Sequence, residues 1–364
     1  MMKKEKPRAV IAMSGGVDSS VAAALLQKDG YDVMGVTMEI YDGSTSQPEG
    51  NHHACFGPGE TQDIEDAARV AKKLGIPYLT VNLKEEYKTN ILDFFVKAYQ
   101  QGYTPNPCVK CNHEMKFGGI GKELAKKGIK YDYFATGHYA RVEYNELYKR
   151  KVLKKAADTN KDQTYFLAAL TTEELQKALF PLGDKTKEEV WKLAKHLVPS
   201  VSSKSESQDF IAGGYHQLFN KTNLPGPIVN RRGKVIGKHP GIEYFTIGQR
   251  KGLGLASSDP MYVTAKDAKS NTVIVGTKEE LYKSGLIATR LNWHLWDNLL
   301  SPMEMKSKIR LGHDESQSHV IPLEDGSVQV EFVEPQSAIT PGQTIVFYLG
   351  DMIAGSGIIT RGLT

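Results

Sequence analysis

Over the first 140 positions, short apolar runs alternate with stretches in which apolar residues recur every three or four positions. The runs at Ala9 to Met13, Val33 to Ile40, Tyr78 to Leu83 and Tyr131 to Thr136 predict strands. Val17 to Lys28 carries a continuous apolar stripe closed by Gly30, and Ile64, Ala67, Ala68, Ala71 and Leu74 repeat at helical spacing up to Gly75, so both predict helices. Such alternation predicts a parallel sheet with crossover helices. From about 161 to 200 the pattern turns helical, and Thr171-x-x-Glu174 and Thr186-x-x-Glu189 both match the capping box that satisfies orphan amides at a helix start. Glycine and proline thicken after residue 205, at Gly213-Gly214, Pro225-Gly226-Pro227 and Pro240-Gly241. From Gly285 onward, short alternating segments such as Lys306 to Leu311, Ser327 to Phe332 and Thr344 to Tyr348 suggest an antiparallel barrel. The expected organisation is an α/β parallel-sheet domain over 1–205, a small central α+β domain over 206–282 and a C-terminal antiparallel β-barrel over 283–364.

Composition changes this picture little. A chain of 364 residues exceeds one ordinary core, and 40% apolar with 24% charged residues is globular composition. The net charge of +4 is too slight to imply nucleic acid by itself, although a basic face is compatible with it. The basic start, Met1-Met2-Lys3-Lys4, is followed by an apolar run of only Ala9 to Met13, and no stretch approaches the ~18 apolar residues of a membrane span. A cytoplasmic protein without membrane attachment is expected. Three cysteines and no export signal argue against structural disulfides and for thiols with chemical or metal-binding roles.

The first predicted strand runs straight into Ser14-Gly15-Gly16-Val17-Asp18-Ser19-Ser20 and then a helix, so the amides at that helix start face whatever lies over the loop. An anion belongs there. Ser14 and Ser19 add hydroxyl donors, and Asp18 is suited to hold Mg²⁺ against a polyphosphate. The loop has neither a Walker A ending nor a dinucleotide fingerprint, which disfavours γ-phosphate and hydride transfer.

Ser-Gly-Gly-x-Asp-Ser resembles the PP-loop of the ATP pyrophosphatases, which cleave ATP between the α and β phosphates. Five further blocks resemble the tRNA-specific 2-thiouridylases, in that family's order. These are Gly102-x-Thr104-Pro105-Asn106-Pro107 with Cys111-Asn112, Ala135 to Arg141, Lys161-Asp162-Gln163-x-Tyr165-Phe166-Leu167, Glu206 to Phe210, and Tyr244-x-Thr246-Ile247-Gly248-Gln249-Arg250. The resemblance implies a Rossmann-like PP-loop fold of the adenine nucleotide alpha-hydrolase type. ATP would be bound by Ala12, Met13, Ser14, Gly15, Gly16, Val17, Asp18 and Ser19, with Met38 and Gly137 at the adenine. Asn106, Pro107 and Cys108 would border the target base, and His138, Lys161, Asp162, Gln163, Arg310, Leu311 and Gln343 would contact tRNA. The implied reaction adenylates O2 of the wobble uridine and then replaces that oxygen with sulfur from an upstream donor, either a cysteine desulfurase relay or free sulfide. DNA is not an expected partner.

Cys111 falls where this family places its catalytic thiol, on a loop expected to open a helix from Asn112 to Lys126, where helix amides favour thiolate. The family's second cysteine, the persulfide carrier, is replaced by Ile211. The chain is thus a variant lacking that residue, and Asp209 just before it is a candidate acid or base. In exchange it has Cys108, where an acid is more usual, and Cys55 in the loop after the second strand. Loops after parallel strands gather at one sheet edge, so the three thiols are expected to converge. Three readings stay open: Cys55, Cys108 and Cys111 holding a [4Fe-4S] cluster; a zinc site with His52, His53 or His113; or a persulfide on Cys108 or Cys55. Two other functions compete with thiolation, an ammonia-transferring ATP pyrophosphatase and a non-catalytic RNA-binding protein.

Overall fold

The computed structural model describes residues 6–45, 54–202, 204, 209–219, 224–256 and 259–364. Two compact units emerge, one made of residues 1–91, 108–214 and 351–353, the other of 92–107, 215–350 and 354–364.

The first unit is built on a five-stranded sheet. Its strands are β1 (Arg8–Ala12), β2 (Asp32–Glu39), β3 (Tyr78–Asn82), β4 (Tyr133–Thr136) and the two-residue β5 (Ala178–Leu179), in the order β3-β2-β1-β4-β5 and all parallel. β1 is central, with Ile11 opposite Gly35 on one side and Ala135 on the other. Ala9, Val10 and Ile11 are fully buried, as a strand covered on both faces must be. α1 (Val17–Lys28) connects β1 to β2, and α2 (Glu60–Leu74) follows, ended by Gly75 in the left-handed conformation. α3 (Pro107–Cys111) continues through a π-helical segment, Asn112–Gly119, into α4 (Ile120–Lys126). Next come α5 (Thr172–Lys177) and α6 (Lys187–Leu197), and both capping boxes form, on Thr171 with Glu174 and on Thr186 with Glu189. Val21, Ala22 and Leu25 of α1 pack with Val70 and Ala71 of α2 and with Val190 and Ala194 of α6. Because the chain leaves β1 toward β2 and returns later on the other side as β4, the order reverses beside β1. A crevice at the carboxyl ends of these strands is the natural ligand seat of such a sheet.

A short parallel pair also belongs to this unit. Ala54–Phe56 pairs with Asp209–Ile211, with Ala54 opposite Asp209 and Phe56 opposite Ile211.

The second unit contains two sheets. One has four strands, β6 (Gly226–Asn230), β7 (Val235–His239), β8 (Tyr262–Asp267) and β9 (Thr272–Gly276), ordered β7-β6-β9-β8 over a core of Ile228, Phe245, Val263, Val273 and Val275. Its helical component among the described residues is limited to 3₁₀ turns such as Ile242–Tyr244. The other is an antiparallel barrel of β10 (Tyr282–Trp293), β11 (Met303–Lys308), β12 (Ser316–Pro322), β13 (Val328–Ser337), β14 (Thr344–Leu349) and β15 (Met352–Leu363). It is closed by pairing of β15 with β10, which removes the exposed edges an open sheet would carry.

Candidate active site

The turn between β1 and α1 is held by its own hydroxyls. The Ser14 amide donates to Ser19 Oγ at 3.1 Å, and Ser20 Oγ donates to the Gly16 carbonyl at 2.7 Å. Gly15 adopts φ +68°, and a Cβ there would collide with the Asp63 carbonyl of α2, so both conformation and space require glycine. Gly137, just after β4, approaches the loop so closely that a Cβ would lie 2.6 Å from the Ser19 nitrogen.

These segments enclose a cavity of about 290 Å³. Ala12, Met13, Ser14, Gly16, Val17, Asp18, Ser19, Met38 and Gly137 all line it, so every residue expected at ATP except Gly15 faces one space. His138 and Gln163, expected to contact tRNA, line the same cavity. His138 Nδ1 shares a 2.7 Å hydrogen bond with Thr136 Oγ1. Burial, with the Lys116 charge adding to it, holds the imidazole well below its usual range, so it is neutral at neutral pH. The Gln163 side-chain oxygen accepts from the Tyr139 amide at 2.9 Å, and the Tyr139 hydroxyl donates to Asp18 Oδ1 at 2.9 Å. Asp162 accepts from the Ala156 amide and the Thr164 hydroxyl, which makes it a local cap. Of the Lys161-Asp162-Gln163 block, Gln163 is thus connected to the phosphate loop, through Tyr139.

Asp18 does not present a bare carboxylate. Lys187, the first residue of α6, donates to both its oxygens at 2.7 and 2.9 Å. Lys204 is likewise held by Asp63 and Asp66, each at 2.6 Å. Glu60 accepts from the Ile40 and Tyr41 amides at the end of β2, which fixes the backbone after Met38; burial nonetheless pushes its carboxyl up. Lys116, which also lines the cavity, makes no hydrogen bond or ion pair with any described residue.

Cys55 lines the cavity, and Cys111 lies within electrostatic reach of Cys55 and Cys108. All three also act on the buried Tyr87 hydroxyl, whose acidity burial and those sulfurs push well out of its usual range. The expectation of a helix-activated thiolate at Cys111 is corrected. The helix opens at Pro107 rather than Asn112, so Cys111 sits inside the helical run and away from the free amides. Burial pushes its thiol up to about 12, Lys116 pulling down and Cys55, Cys108 and Glu114 pushing up. His113, a zinc candidate, turns instead to Glu174, with Nδ1 at 2.9 Å from the carboxylate. His52 and His53 lie outside the described residues, as does Glu206 to Gln208, and the Asp209 side chain is likewise not described. Among the described residues no group of three or more His, Cys, Asp or Glu side chains stands close enough to hold a metal ion.

In the second unit, Gln343 donates from its amide to the Thr104 carbonyl at 2.8 Å, and Leu311 is exposed beside Arg310. Lys116, Lys187 and Tyr87 carry no motif and were not singled out by sequence, although the capping box at Thr186 marks where Lys187 begins its helix.

Three family models cover the chain: a tRNA methyl transferase HUP domain matches residues 7–212, a tRNA methyl transferase PRC-barrel domain 216–277 and an aminomethyltransferase beta-barrel domain 283–359. The tRNA-specific 2-thiouridylase MnmA of Endomicrobium trichonymphae is 45% identical over 356 residues, covering 96% of this chain and 98% of that protein. That of Acetivibrio thermocellus is 44% identical over 361 residues, covering 97% and 99%. A solved 4-thiouridine synthetase–RNA complex with bound ATP aligns at TM-score 0.33 and 17% identity, over 55% of this chain and 43% of its own, a likeness that carries no argument.

Proposed function

Since the chain belongs to the family of tRNA-specific 2-thiouridylases, we propose that it uses ATP to adenylate O2 of the wobble uridine of tRNA and then exchanges that oxygen for sulfur, releasing AMP and pyrophosphate. The observation that carries this reading is a single cavity bounded by the Ser14–Ser19 loop and Gly137 that also has Cys55 on its wall, with Cys108 and Cys111 in electrostatic reach. Loop amides and the α1 start stabilise the departing pyrophosphate, and Met38 and Gly137 flank the adenine. The uridine must leave its stack for its O2 to reach the α-phosphate. Asn106, Pro107 and Cys108 are proposed at that base, Cys111 as nucleophile and Asp209 as acid or base. Lys161, Arg310, Leu311 and Gln343 are proposed tRNA contacts, Lys161 and Arg310 toward phosphates. His138, Asp162 and Gln163 are further proposed tRNA contacts, and Gln163 also reaches the phosphate loop through Tyr139.

Mg²⁺ would accompany the polyphosphate. Asp18 as it stands is occupied by Lys187, so it fits a metal only if that ammonium moves away. The three thiols form a soft donor set of the kind a [4Fe-4S] cluster takes, but among the described residues they do not stand together as a metal-holding group. Persulfide on Cys55 or Cys108 is the alternative, its outer sulfur delivered as sulfane sulfur by a cysteine desulfurase relay in the cytoplasm; free sulfide would instead attack the adenylated carbon directly and displace AMP. Iron below about 0.3 per chain after anaerobic reconstitution would exclude the cluster.

Incubating the protein with unmodified tRNA, ATP and sulfide, then analysing nucleosides by mass spectrometry, tests the whole reading. The parent should form 2-thiouridine with AMP and pyrophosphate, and Cys111→Ser should not. Full activity in Cys55→Ser would remove Cys55 from the sulfur-handling set. A methyl-transfer reading, raised by the two tRNA methyl transferase domain families, predicts neither AMP nor pyrophosphate.

A further inference from the structure

Three lysines line the nucleotide cavity or touch its loop, and they differ in one respect. Lys187 and Lys204 are each pinned to carboxylates, whereas Lys116 has no hydrogen-bonding or ion-pairing partner among the described residues although it lines the cavity. An ammonium in a partly buried polar cavity, with no direct carboxylate partner among the described residues, gains free energy when an anion joins it.

Its position is set by the π-helical segment Asn112–Gly119. Hydrogen bonds there run between residues five apart, which brings Cys111 and Lys116 toward one side of the helix. A regular α-helix would place residues five apart about 140° around the axis. The Lys116 charge is felt both by Cys111 and by His138, which neighbours Gly137 and so stands next to the phosphate loop. Lys116 therefore lines the same cavity as the loop and lies within electrostatic reach of the sulfur.

The chemistry says what lies between loop and sulfur. In the adenylated intermediate the carbon to be attacked is bonded through oxygen to the α-phosphorus. The sulfur must come within bonding distance of that carbon, so the α-phosphate lies between the pyrophosphate seat and Cys111. We propose that Lys116 is a catalytic residue that binds the α-phosphate of ATP and of the adenylated tRNA, and stabilises AMP as the leaving group. This rests on the thiouridylase reading for its chemistry, but its central test does not need tRNA.

The affinities of AMP and of inorganic pyrophosphate are measured by equilibrium dialysis for the full-length protein and for Lys116→Met and Lys116→Arg. An ammonium-to-phosphate contact predicts that Lys116→Met binds AMP tenfold or more weakly while pyrophosphate affinity stays within twofold. Lys116→Arg should recover most of the AMP affinity. Equal weakening of both ligands, or unchanged AMP binding, overturns the proposal; Lys116→Gln substitutes if Lys116→Met does not fold. If the parent makes no 2-thiouridine but the AMP-selective loss is seen, the thiolation reading fails and the phosphate contact stands. If the parent thiolates and Lys116→Met keeps both its AMP affinity and its rate, the contact fails and the function stands.

Discussion

A thiol with its acidity pushed to about 12 should be a poor nucleophile in the resting protein, and Cys111 offers a direct measurement of that. At pH 7.5 an ordinary thiol near 8.5 is roughly one-tenth thiolate, whereas one near 12 is thiolate in about three molecules per hundred thousand. The anion deficit is thus about 3,000-fold. A more basic thiolate attacks faster, with a Brønsted slope of about 0.4 to 0.5, which over 3.5 units returns about 40-fold. Iodoacetamide should therefore alkylate Cys111 on the order of 100-fold more slowly in the native protein than in denaturant, read by peptide mass spectrometry so that Cys55 and Cys108 are scored separately. Because burial alone also slows reagents, the pH profile is the decisive observation. The native rate should keep climbing about tenfold per unit beyond pH 9, where an exposed thiol levels off. Substituting Cys55 or Cys108 removes an influence that raises the Cys111 value, so the rate should rise in those variants. A native rate within about fivefold of the unfolded one, or a plateau by pH 9, would refute the reasoning. The same shift has a stability sign: the folded chain prefers the neutral thiol. That contribution is complete below about 8.5 and is lost as pH rises through about 12.

Gly15→Ala should abolish ATP binding by calorimetry, because it needs a positive φ and strikes the Asp63 carbonyl, while Gly16→Ala, whose nearest neighbour is Ser14 Oγ at 3.4 Å, should bind within a few fold. Thr186→Ala should cost about 1 kcal/mol through the lost cap and lower Tm by about 2–4 °C in a thermal melt, with Thr186→Ser recovering most of it. Glu174 raises the His113 value, so the protonated pair stabilises fully below about 6.5 and fades as pH rises through the raised value. An NMR titration midpoint for His113 at or below 6.5, or one unmoved by Glu174→Gln, would contradict that pairing.

Much of the scaffold was legible because it is local. The apolar runs located β1 to β4 to within two residues, α1 spans Val17–Lys28 as the stripe predicts, and both capping boxes form as their spacing requires. The phosphate loop was equally readable, since strand, glycines and helix are contiguous. What escaped depends on contacts distant in sequence or on an irregular helix. β5 is two residues long and gives no periodic signal. Lys187 meets Asp18 across 169 positions. Lys116 shares a side with Cys111 only because the helix departs from 3.6 residues per turn, so a regular helical wheel separates them. The start of α3 was missed because Pro107 reads as a turn, although proline is well suited to a first helical position.

The short ribbon of Ala54–Phe56 and Asp209–Ile211 decides what a thiol placed at position 211 would meet. Partners in register share a face, so Ile211, only 1% exposed, lies with the buried Phe56, and Cys55 points from the opposite face. A cysteine at position 211 would lie under that aromatic packing, on the reverse side from Cys55. Bringing both thiols to one face would require the ribbon's register to shift by one residue.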